Sequence, residues 1–106
     1  MLAQLDNVSL HTIYIKQIAN NMLIGNLPSE VGKFESLQVL ALQDNNMQGK
    51  LPTNLGLLKE LQELCIHNNS LLGSIPSEFG KLTQMKNLTL SSNKLGGTIP
   101  SELGNL

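Results

Sequence analysis

The sequence predicts an α/β solenoid, a stack of repeated units whose short parallel strands form one sheet. The main observation is a period of 24 residues that runs through the 106-residue chain without a break. Four kinds of residue recur once per period: Asn21, Asn45, Asn69 and Asn93; Gly25, Gly49, Gly73 and Gly97; Pro28, Pro52, Pro76 and Pro100; and Gly32, Gly56, Gly80 and Gly104. A second observation is that Leu64 and Ile66 alternate with polar residues just before one of these asparagines, as in a half-buried strand.

The period divides the chain into four units, which we number 1 to 4. They cover residues 13–36, 37–60, 61–84 and 85–106. Unit 1 departs from the pattern because Lys16 takes the place of a leucine that each later unit has. Residues 1–12 keep only traces of a preceding unit, and the last residue falls where another unit would begin. We therefore interpret the chain as a fragment, or a truncated product, of a longer array.

The turn after each strand explains the asparagine column. A buried turn leaves backbone N–H and C=O groups without strand partners, and each unpaired group costs about 1–3 kcal/mol. An asparagine amide offers both a donor and an acceptor, so it can bridge such groups within and between turns. We therefore predict that Asn21, Asn45, Asn69 and Asn93 form an internal ladder, whereas the adjacent Asn68 lies on the solvent side and contributes little to stability.

The segment after the turn contains the glycine and proline columns. Gly25 and its equivalents permit a positive φ or a close approach of two backbones. Pro28 and its equivalents open a short helical turn, because the missing N–H of proline is harmless there. We expect the second glycine column, which begins at Gly32, to end that helical turn.

Composition excludes several classes of function. The formal net charge is −1 and the chain has one Tyr and two Phe, so it offers neither a basic patch nor an aromatic platform for nucleic acid. No apolar run approaches the ~18 residues of a membrane span, and the first residues make a poor secretory signal. We therefore expect no nucleic-acid partner and no membrane insertion by this chain. Cys65 is the only cysteine, which rules out an internal disulfide.

The combined pattern L-x-x-L-x-L-x-x-N-x-L-x-G-x-I-P-x-x-L-G-x-L, which covers residues 13–106, resembles that of plant-type leucine-rich repeats. Such repeats occur in receptor-like kinase ectodomains, receptor-like proteins and polygalacturonase-inhibiting proteins. The resemblance implies a right-handed superhelix with a parallel sheet on the concave face and short helical turns on the convex side. It also implies a parent protein that is extracellular or anchored at the plasma membrane. Those ectodomains usually carry paired cysteines in capping segments, which this chain lacks.

The function that the resemblance implies is non-catalytic recognition of a protein or peptide by the concave strand face. Because fold does not fix function, two alternatives stay open. The chain could be a structural spacer or assembly segment of a longer array. It could also be an ectodomain piece of a receptor kinase whose catalytic domain lies outside this sequence. None of these readings requires a cofactor.

The strand face, as we use the term, consists of four columns of outward residues, each with one member per unit: Ile15, Val39, Glu63 and Asn87; Gln17, Ala41, Cys65 and Thr89; Ala19, Gln43, His67 and Ser91; and Asn20, Asp44, Asn68 and Ser92. Val39 and Ala41 are its expected members in the strand of unit 2. The residues that we expect to contact a partner are Gln43, Asp44, Glu63, Cys65, His67, Asn87, Thr89 and Ser91. The face has no Trp, Tyr or Arg, the residue types that dominate binding energy in interfaces.

Glu63, Cys65 and His67 are alternate residues of one strand, so their side chains share a face. Their residue types suggest two kinds of site: a cysteine nucleophile with a histidine base oriented by the glutamate, or a metal site with all three as ligands. Neighbours at that spacing are about 6–7 Å apart, which is too far for a direct hydrogen bond between short side chains. We therefore expect neither catalysis nor metal binding, and interpret the three as ordinary surface residues.

Two further features concern modification and self-association. Asn7, Asn68 and Asn87 each begin an Asn-x-Ser/Thr sequence, so they are possible glycosylation sites.

Terminal units of a solenoid need a polar cap to stay soluble, and unit 4 offers none. We therefore expect the chain to associate through its C-terminal end, or to fray there first, because one apolar side stays uncovered at Met85, Leu88, Leu90, Leu95, Ile99, Leu103 and Leu106.

Overall fold

The computed structural model of the chain describes residues 14–15 and 24–105, and the account of the structure below is confined to them. Eight strands form two parallel sheets. The first sheet has the order β1-β3-β5-β7, with β1 Tyr14–Ile15, β3 Val39–Ala41, β5 Glu63–Cys65 and β7 Asn87–Thr89. The second sheet has the order β2-β4-β6-β8, with β2 Ile24–Gly25, β4 Asn46–Lys50, β6 Ser70–Gly73 and β8 Lys94–Leu95.

One short 3₁₀ helix closes each unit on the side away from the first sheet. The helices among the described residues are Ser29–Lys33, Thr53–Leu57, Ser77–Lys81 and Ser101–Asn105. Each unit therefore contributes two strands and one helical turn, and consecutive units stack in sequence order. This arrangement is the leucine-rich repeat solenoid that the sequence predicted. None of the helices among the described residues has the length and apolarity that crossing a membrane requires.

The second sheet was not predicted from the sequence. The residues of β4 alternate between exposed and buried, with only Met47 fully buried. The segment includes Gly49 and Lys50, and both residue types are depleted in strands. Its strands form because the asparagine turn aligns consecutive units, so that the extended backbone on the far side of the turn meets its counterpart in the next unit.

The register of the first sheet is regular from β3 to β7 and shifts at β1. Leu40 pairs with Leu64, and Leu64 with Leu88, at the expected spacing of one period. At β1, however, Ile15 pairs with Leu40, one residue away from the position that the period assigns.

The core lies between the two sheets and the 3₁₀ helices. Its residues with almost no exposed surface come from units 1, 2 and 3: Val31, Leu37, Leu40, Leu42, Leu55, Leu58, Leu61, Leu64, Ile66, Leu71, Phe79 and Leu82. In unit 4 the equivalent side chains pack against this core but stay partly exposed, and Ile99 is 73% exposed. Burial therefore decreases along the solenoid axis toward the C-terminal end.

The asparagine column lies at the turns between the two sheets. Nδ2 of Asn69 is within hydrogen-bond distance of three carbonyl oxygens, those of Leu42 (3.0 Å), Ile66 (3.1 Å) and His67 (3.3 Å). Its Oδ1 accepts the N–H of Met47 at 3.0 Å. One side chain thus satisfies backbone groups of its own turn and of the preceding unit.

Asn93 repeats this pattern one unit later. Its Nδ2 donates to the carbonyls of Ile66, Leu90 and Ser91, and its Oδ1 accepts the N–H of Leu71. Asn45 donates to the carbonyls of its own turn at Leu42 and Gln43 and is buried. Asn21, the first member of the column, lies outside the described residues.

The first glycine column adopts a backbone that other residues rarely adopt. Gly25, Gly49, Gly73 and Gly97 have φ between 76° and 90°. Pro28, Pro52 and Pro76 directly precede the 3₁₀ helices with an extended backbone, so each helix begins one residue after the proline. The proline carbonyl accepts the N–H of the third residue of the helix, as Pro100 does from Leu103 at 3.1 Å.

The second glycine column does not end the helical turns, contrary to the sequence-based expectation. Gly56 and Gly80 lie inside their helices and have no positive φ. A Cβ atom on Gly80 would stand 2.6 Å from the carbonyl oxygen of Glu102, and one on Gly56 would stand 2.7 Å from that of Glu78. These glycines are required because the helix of the next unit packs directly on their backbone.

Candidate binding face

The strand face is polar and becomes more accessible from unit 2 to unit 4. Its members in unit 3, Glu63, Cys65 and His67, are half-buried. Asn87 and Thr89 in unit 4 are exposed, as is Ser91 beyond the strand. The strands of units 3 and 4 pair with Glu63 beside Asn87 and Cys65 beside Thr89, so these side chains form a contiguous surface.

The expectation that the face is accessible in unit 2 is wrong for β3. Val39 and Ala41 are each only 3% exposed. Both are apolar, so their burial leaves no side-chain hydrogen bond unmade, unlike that of Glu63 at the equivalent position. Gln43 beyond the strand is half-buried, and its Oε1 is enclosed without a hydrogen-bond partner. The accessible part of the face therefore belongs to units 3 and 4.

Two side-chain hydrogen bonds connect neighbouring units across the face. Nδ1 of His67 lies 2.9 Å from Oγ1 of Thr89. Nδ2 of Asn68 donates to Oδ1 of Asp44 at 2.6 Å. These contacts fix the orientation of four polar side chains before any partner binds. They therefore lower the conformational-entropy cost of ordering these side chains on binding.

A column of left-handed residues forms one edge of the face. Asp44, Asn68 and Ser92 have φ values of 61°, 58° and 56°. Asp and Asn tolerate this conformation better than most residues do, because their short polar side chains can bond locally. Asn68 is exposed, as predicted, but its backbone conformation and its bond to Asp44 give it a structural role that the sequence did not indicate.

The residues with possible catalytic or metal-binding chemistry do not assemble into a site. Among residues 24–105, no three His, Cys, Asp or Glu side chains are grouped so that they could hold a metal ion. Cys65 is a free, half-buried thiol. The contact of His67 is with the Thr89 hydroxyl rather than with Cys65. The arrangement offers polar contacts to a partner.

The three possible glycosylation sites differ in their surroundings. Asn87 begins β7, and its side chain is exposed on the accessible face. The amide nitrogen of Asn68, the atom that would carry a glycan, already donates to Asp44. Asn7 lies outside the described residues. A glycan at Asn87 would cover the surface that units 3 and 4 expose.

Comparison with known proteins places the chain in a family. Residues 6–106 match the family described as leucine-rich repeat region. A comparison with curated protein sequences finds no significant match.

Several solved structures with the same fold are those of plant receptors. The structure of the BIR3–SERK2 complex from Arabidopsis thaliana superposes with a TM-score of 0.78 at 38% identity, covering 83% of this chain and 47% of that one. The ectodomain of the Arabidopsis thaliana receptor kinase GASSHO1/SCHENGEN3, in complex with CASPARIAN STRIP INTEGRITY FACTOR 2, gives 0.80 at 41%, covering 81% and 10%. A TDR receptor gives 0.82 at 40%, covering 83% and 15%.

This chain spans less than half the length of each of these three structures. The match nevertheless extends over nearly the whole of the sequence. The parallel strands, the asparagine turns and the glycine–proline segments recur in units 2, 3 and 4. The chain belongs to the plant-type leucine-rich repeat family.

Proposed function

We propose that the strand face of units 3 and 4 recognises a protein or peptide without catalysis, as part of a receptor-like leucine-rich repeat protein. The observation that carries this proposal is a contiguous polar surface on two paired strands, β5 and β7, whose outward side chains are accessible. The residues proposed to contact the partner are Glu63, Cys65, His67, Asn87, Thr89 and Ser91, with Gln43 and Asp44 at the margin.

The chemistry of this surface favours hydrogen bonding over apolar burial. Glu63 offers a carboxylate, and Asn87 on the neighbouring strand, about 4.8 Å away, offers an amide. Thr89 and Ser91 offer hydroxyl groups further along the same segment, at intervals of about 6–7 Å. An extended peptide laid across the strands would meet a donor or acceptor at each step. The face contains no aromatic anchor, so its specificity would come from the placement of polar groups.

The comparisons support recognition as the class of function. One similar structure is a complex of two proteins, and a second is a receptor ectodomain with a bound factor. The alternative reading, a spacer or assembly segment in a longer array, is supported by the regular stacking of consecutive units in sequence order. The third reading, part of a receptor kinase, is compatible with the first because the kinase would lie outside this chain.

Selection of displayed random peptides against the immobilised chain tests the proposal. Each enriched peptide is then measured against a double variant of the face, Asn87→Ala with Thr89→Ala. Both side chains are exposed, so their removal leaves the core intact. We expect the affinity to fall at least about tenfold, which corresponds to ~1.4 kcal/mol.

The matched control is the double variant Thr83→Ala with Gln84→Ala. It removes one hydroxyl and one amide, the same groups, from exposed positions in the turn that follows the 3₁₀ helix of unit 3. Peptides that recognise the strand face should bind this control as they bind the original chain. Equal losses in the two double variants, or a loss in the control alone, would show that recognition lies elsewhere.

A further inference from the structure

The outer face of the second sheet carries an exposed leucine. In β6, Leu71 points into the core and is buried, whereas its neighbour Leu72 is 42% exposed. The equivalent position holds Gln48 in unit 2 and Gly96 in unit 4, so the repeat itself does not call for an apolar residue there. A single exposed leucine is common on protein surfaces, and its meaning depends on what surrounds it.

Lysines flank this leucine on both neighbouring strands. Leu72 pairs with Lys50 of β4 on one side and with Lys94 of β8 on the other, and both lysines are exposed. We call these three residues the lysine row. The strands β4, β6 and β8 contain no Asp or Glu. This part of the surface therefore carries two positive charges and no negative charge, in a chain whose formal net charge is −1.

The side chain of Lys50 lies along the sheet. A Cβ atom on Gly73 would stand 3.1 Å from Cγ, 3.5 Å from Cδ and 3.7 Å from Cε of Lys50. The aliphatic stem thus passes over the glycine next to Leu72, and the ammonium group is the part left for a partner. Since the stem is already packed, Lys50 loses less conformational freedom on binding than a fully solvated lysine would.

The spacing of the lysine row matches a helix better than an extended chain. Neighbouring strands are about 4.8 Å apart, so the backbones of the two lysines are about 9.6 Å apart with that of Leu72 midway. A helix rises about 1.5 Å per residue, which puts residues i and i+7 about 10.5 Å apart on one face, with i+3 and i+4 between them. Residues on one face of an extended chain follow at about 6–7 Å and miss each step of the row by about 2 Å.

We propose that the lysine row binds an amphipathic helix of a partner protein, with Asp or Glu at positions i and i+7 and an apolar residue at i+3 or i+4. The two carboxylates pair with Lys50 and Lys94, and the apolar side chain covers Leu72. The contact is only three strands wide, so it forms a weak, transient complex.

This surface is separate from both the strand face and the ends of the solenoid. The strand face belongs to the first sheet, so the inference does not depend on the peptide recognition proposed above. Units stack along the direction of the hydrogen bonds between strands, whereas the outward side chains of a sheet stand perpendicular to it. Further units at either end of the array would therefore leave the lysine row open.

Two labelled helical peptides, each held in shape by a hydrocarbon bridge on the far side, test the proposal by fluorescence polarisation with the full chain. The matched probe has Glu at i and i+7 and Leu at i+3 and i+4. The rotated probe has the same composition, with the glutamates moved to i+1 and i+8, about 100° around the helix. We expect the matched probe to bind at least about tenfold more tightly, because only its carboxylates reach the lysines while its leucines cover Leu72.

The decisive variant is Lys50→Ser with Lys94→Asn. Both replacements occur at the equivalent positions of other units, as Ser74 in unit 3 and Asn46 in unit 2, so the repeat accommodates them. We expect the matched probe to lose at least about fivefold in affinity and to bind no better than the rotated probe.

The matched control is Lys33→Asn with Lys81→Asn. It removes the same two charges from exposed positions in the 3₁₀ helices, where unit 4 has Asn105. This variant should bind the matched probe as the original chain does. Leu72→Gln, which copies Gln48 of unit 2, should weaken the matched probe several-fold while leaving both lysines in place.

Two further measurements separate a helix from a negatively charged surface in general. Raising the ionic strength from about 0.05 to about 0.5 M should weaken the matched probe several-fold, because exposed charge pairs are screened. Vesicles of equal parts phosphatidylcholine and phosphatidylserine should not bind the chain through Lys50 and Lys94. Equal affinity of the two probes, equal losses in the two double variants, or vesicle binding that requires these lysines would overturn the proposal.

Amide chemical shifts of the unmodified chain give a readout that does not rely on any variant. The matched probe should shift the amides of Leu72 and Gly73 in a saturable way and leave that of Cys65, on the first sheet, unchanged. Shifts at Cys65 without shifts at Leu72 would place the probe on the other sheet and contradict the proposal.

Discussion

Replacement of Gly80 by alanine tests the close packing of the 3₁₀ helices. Gly80 lies in the helix of unit 3, where a Cβ would stand 2.6 Å from the carbonyl oxygen and 2.8 Å from the Cβ of Glu102. Neither atom can move away without shifting the backbone of the helix in unit 4. Gly104 occupies the same position one unit later, and a Cβ there would meet nothing within 4 Å. The two substitutions are chemically identical and differ only in what the new methyl group contacts.

The magnitude follows from two opposing effects. An extra carbon forced into a filled space typically costs 1–3 kcal/mol. Alanine also restricts the unfolded chain, which stabilises the folded state by about 0.4–1 kcal/mol where φ permits it, and neither glycine has a positive φ. We therefore expect Gly80→Ala to lower the free energy of unfolding by roughly 1–2 kcal/mol, and Gly104→Ala to leave it unchanged or to raise it by up to ~1 kcal/mol.

Urea denaturation followed by circular dichroism measures the difference. With a slope of about 1–3 kcal/mol per molar urea, the midpoints of the two variants should differ by roughly 1 M. The experiment is carried out at low protein concentration so that association does not contribute. Coinciding midpoints, or a lower midpoint for Gly104→Ala, would refute the argument that Gly80 makes room for the helix of the next unit. Glycine at this position would then be explained by its role in ending the helical turn.

The asparagine ladder predicts that Asn69→Leu lowers the free energy of unfolding by several kcal/mol, since it orphans backbone groups at about 1–3 kcal/mol each, whereas Asn87→Leu at an exposed strand position changes it by under ~0.5 kcal/mol; similar urea midpoints would contradict the ladder. Ser92→Asn should raise the melting temperature by a few degrees, because asparagine tolerates the left-handed backbone better than serine does, and an unchanged melting curve would argue against that gain. The half-buried Cys65 thiol should react with a thiol reagent without denaturant, more slowly than in urea, and complete protection in the folded state would show that the face is covered. The accessible strand face spans only a few hundred Å², so we expect the chain to bind no protein partner tighter than micromolar through it; a nanomolar complex lost on substitution of Thr89 would prove this wrong.

The repeat fold could be predicted because its determinants are local and periodic. Each unit repeats the asparagine, the glycine with positive φ and the proline before the helix, so one sequence pattern fixes turn, strand and helical segment together. Gly32 shows where this reasoning stops. A glycine after a helical segment usually marks its end, and only the position of the next unit reveals that the missing side chain makes room for a neighbouring backbone.

The details of the binding face depended on information that a periodic pattern does not contain. The alternation of β3 marks Val39 as outward, but outward direction does not determine whether another part of the molecule covers the residue. The bond between Asn68 and Asp44 joins side chains one period apart, and it forms because both backbones are left-handed. A sequence pattern assigns direction to each side chain, whereas burial and pairing result from the assembled stack.

The bonds of the asparagine ladder all point one way along the chain, and this has a consequence for the order of folding. Asn69 completes the turn of unit 2, and Asn93 completes that of unit 3 by reaching back 27 residues to Ile66. During synthesis on the ribosome, the turn of a given unit therefore stays open until the next unit has emerged. We expect a nascent solenoid of this type to mature vectorially, with its most recent unit always the least protected from proteases and chaperones.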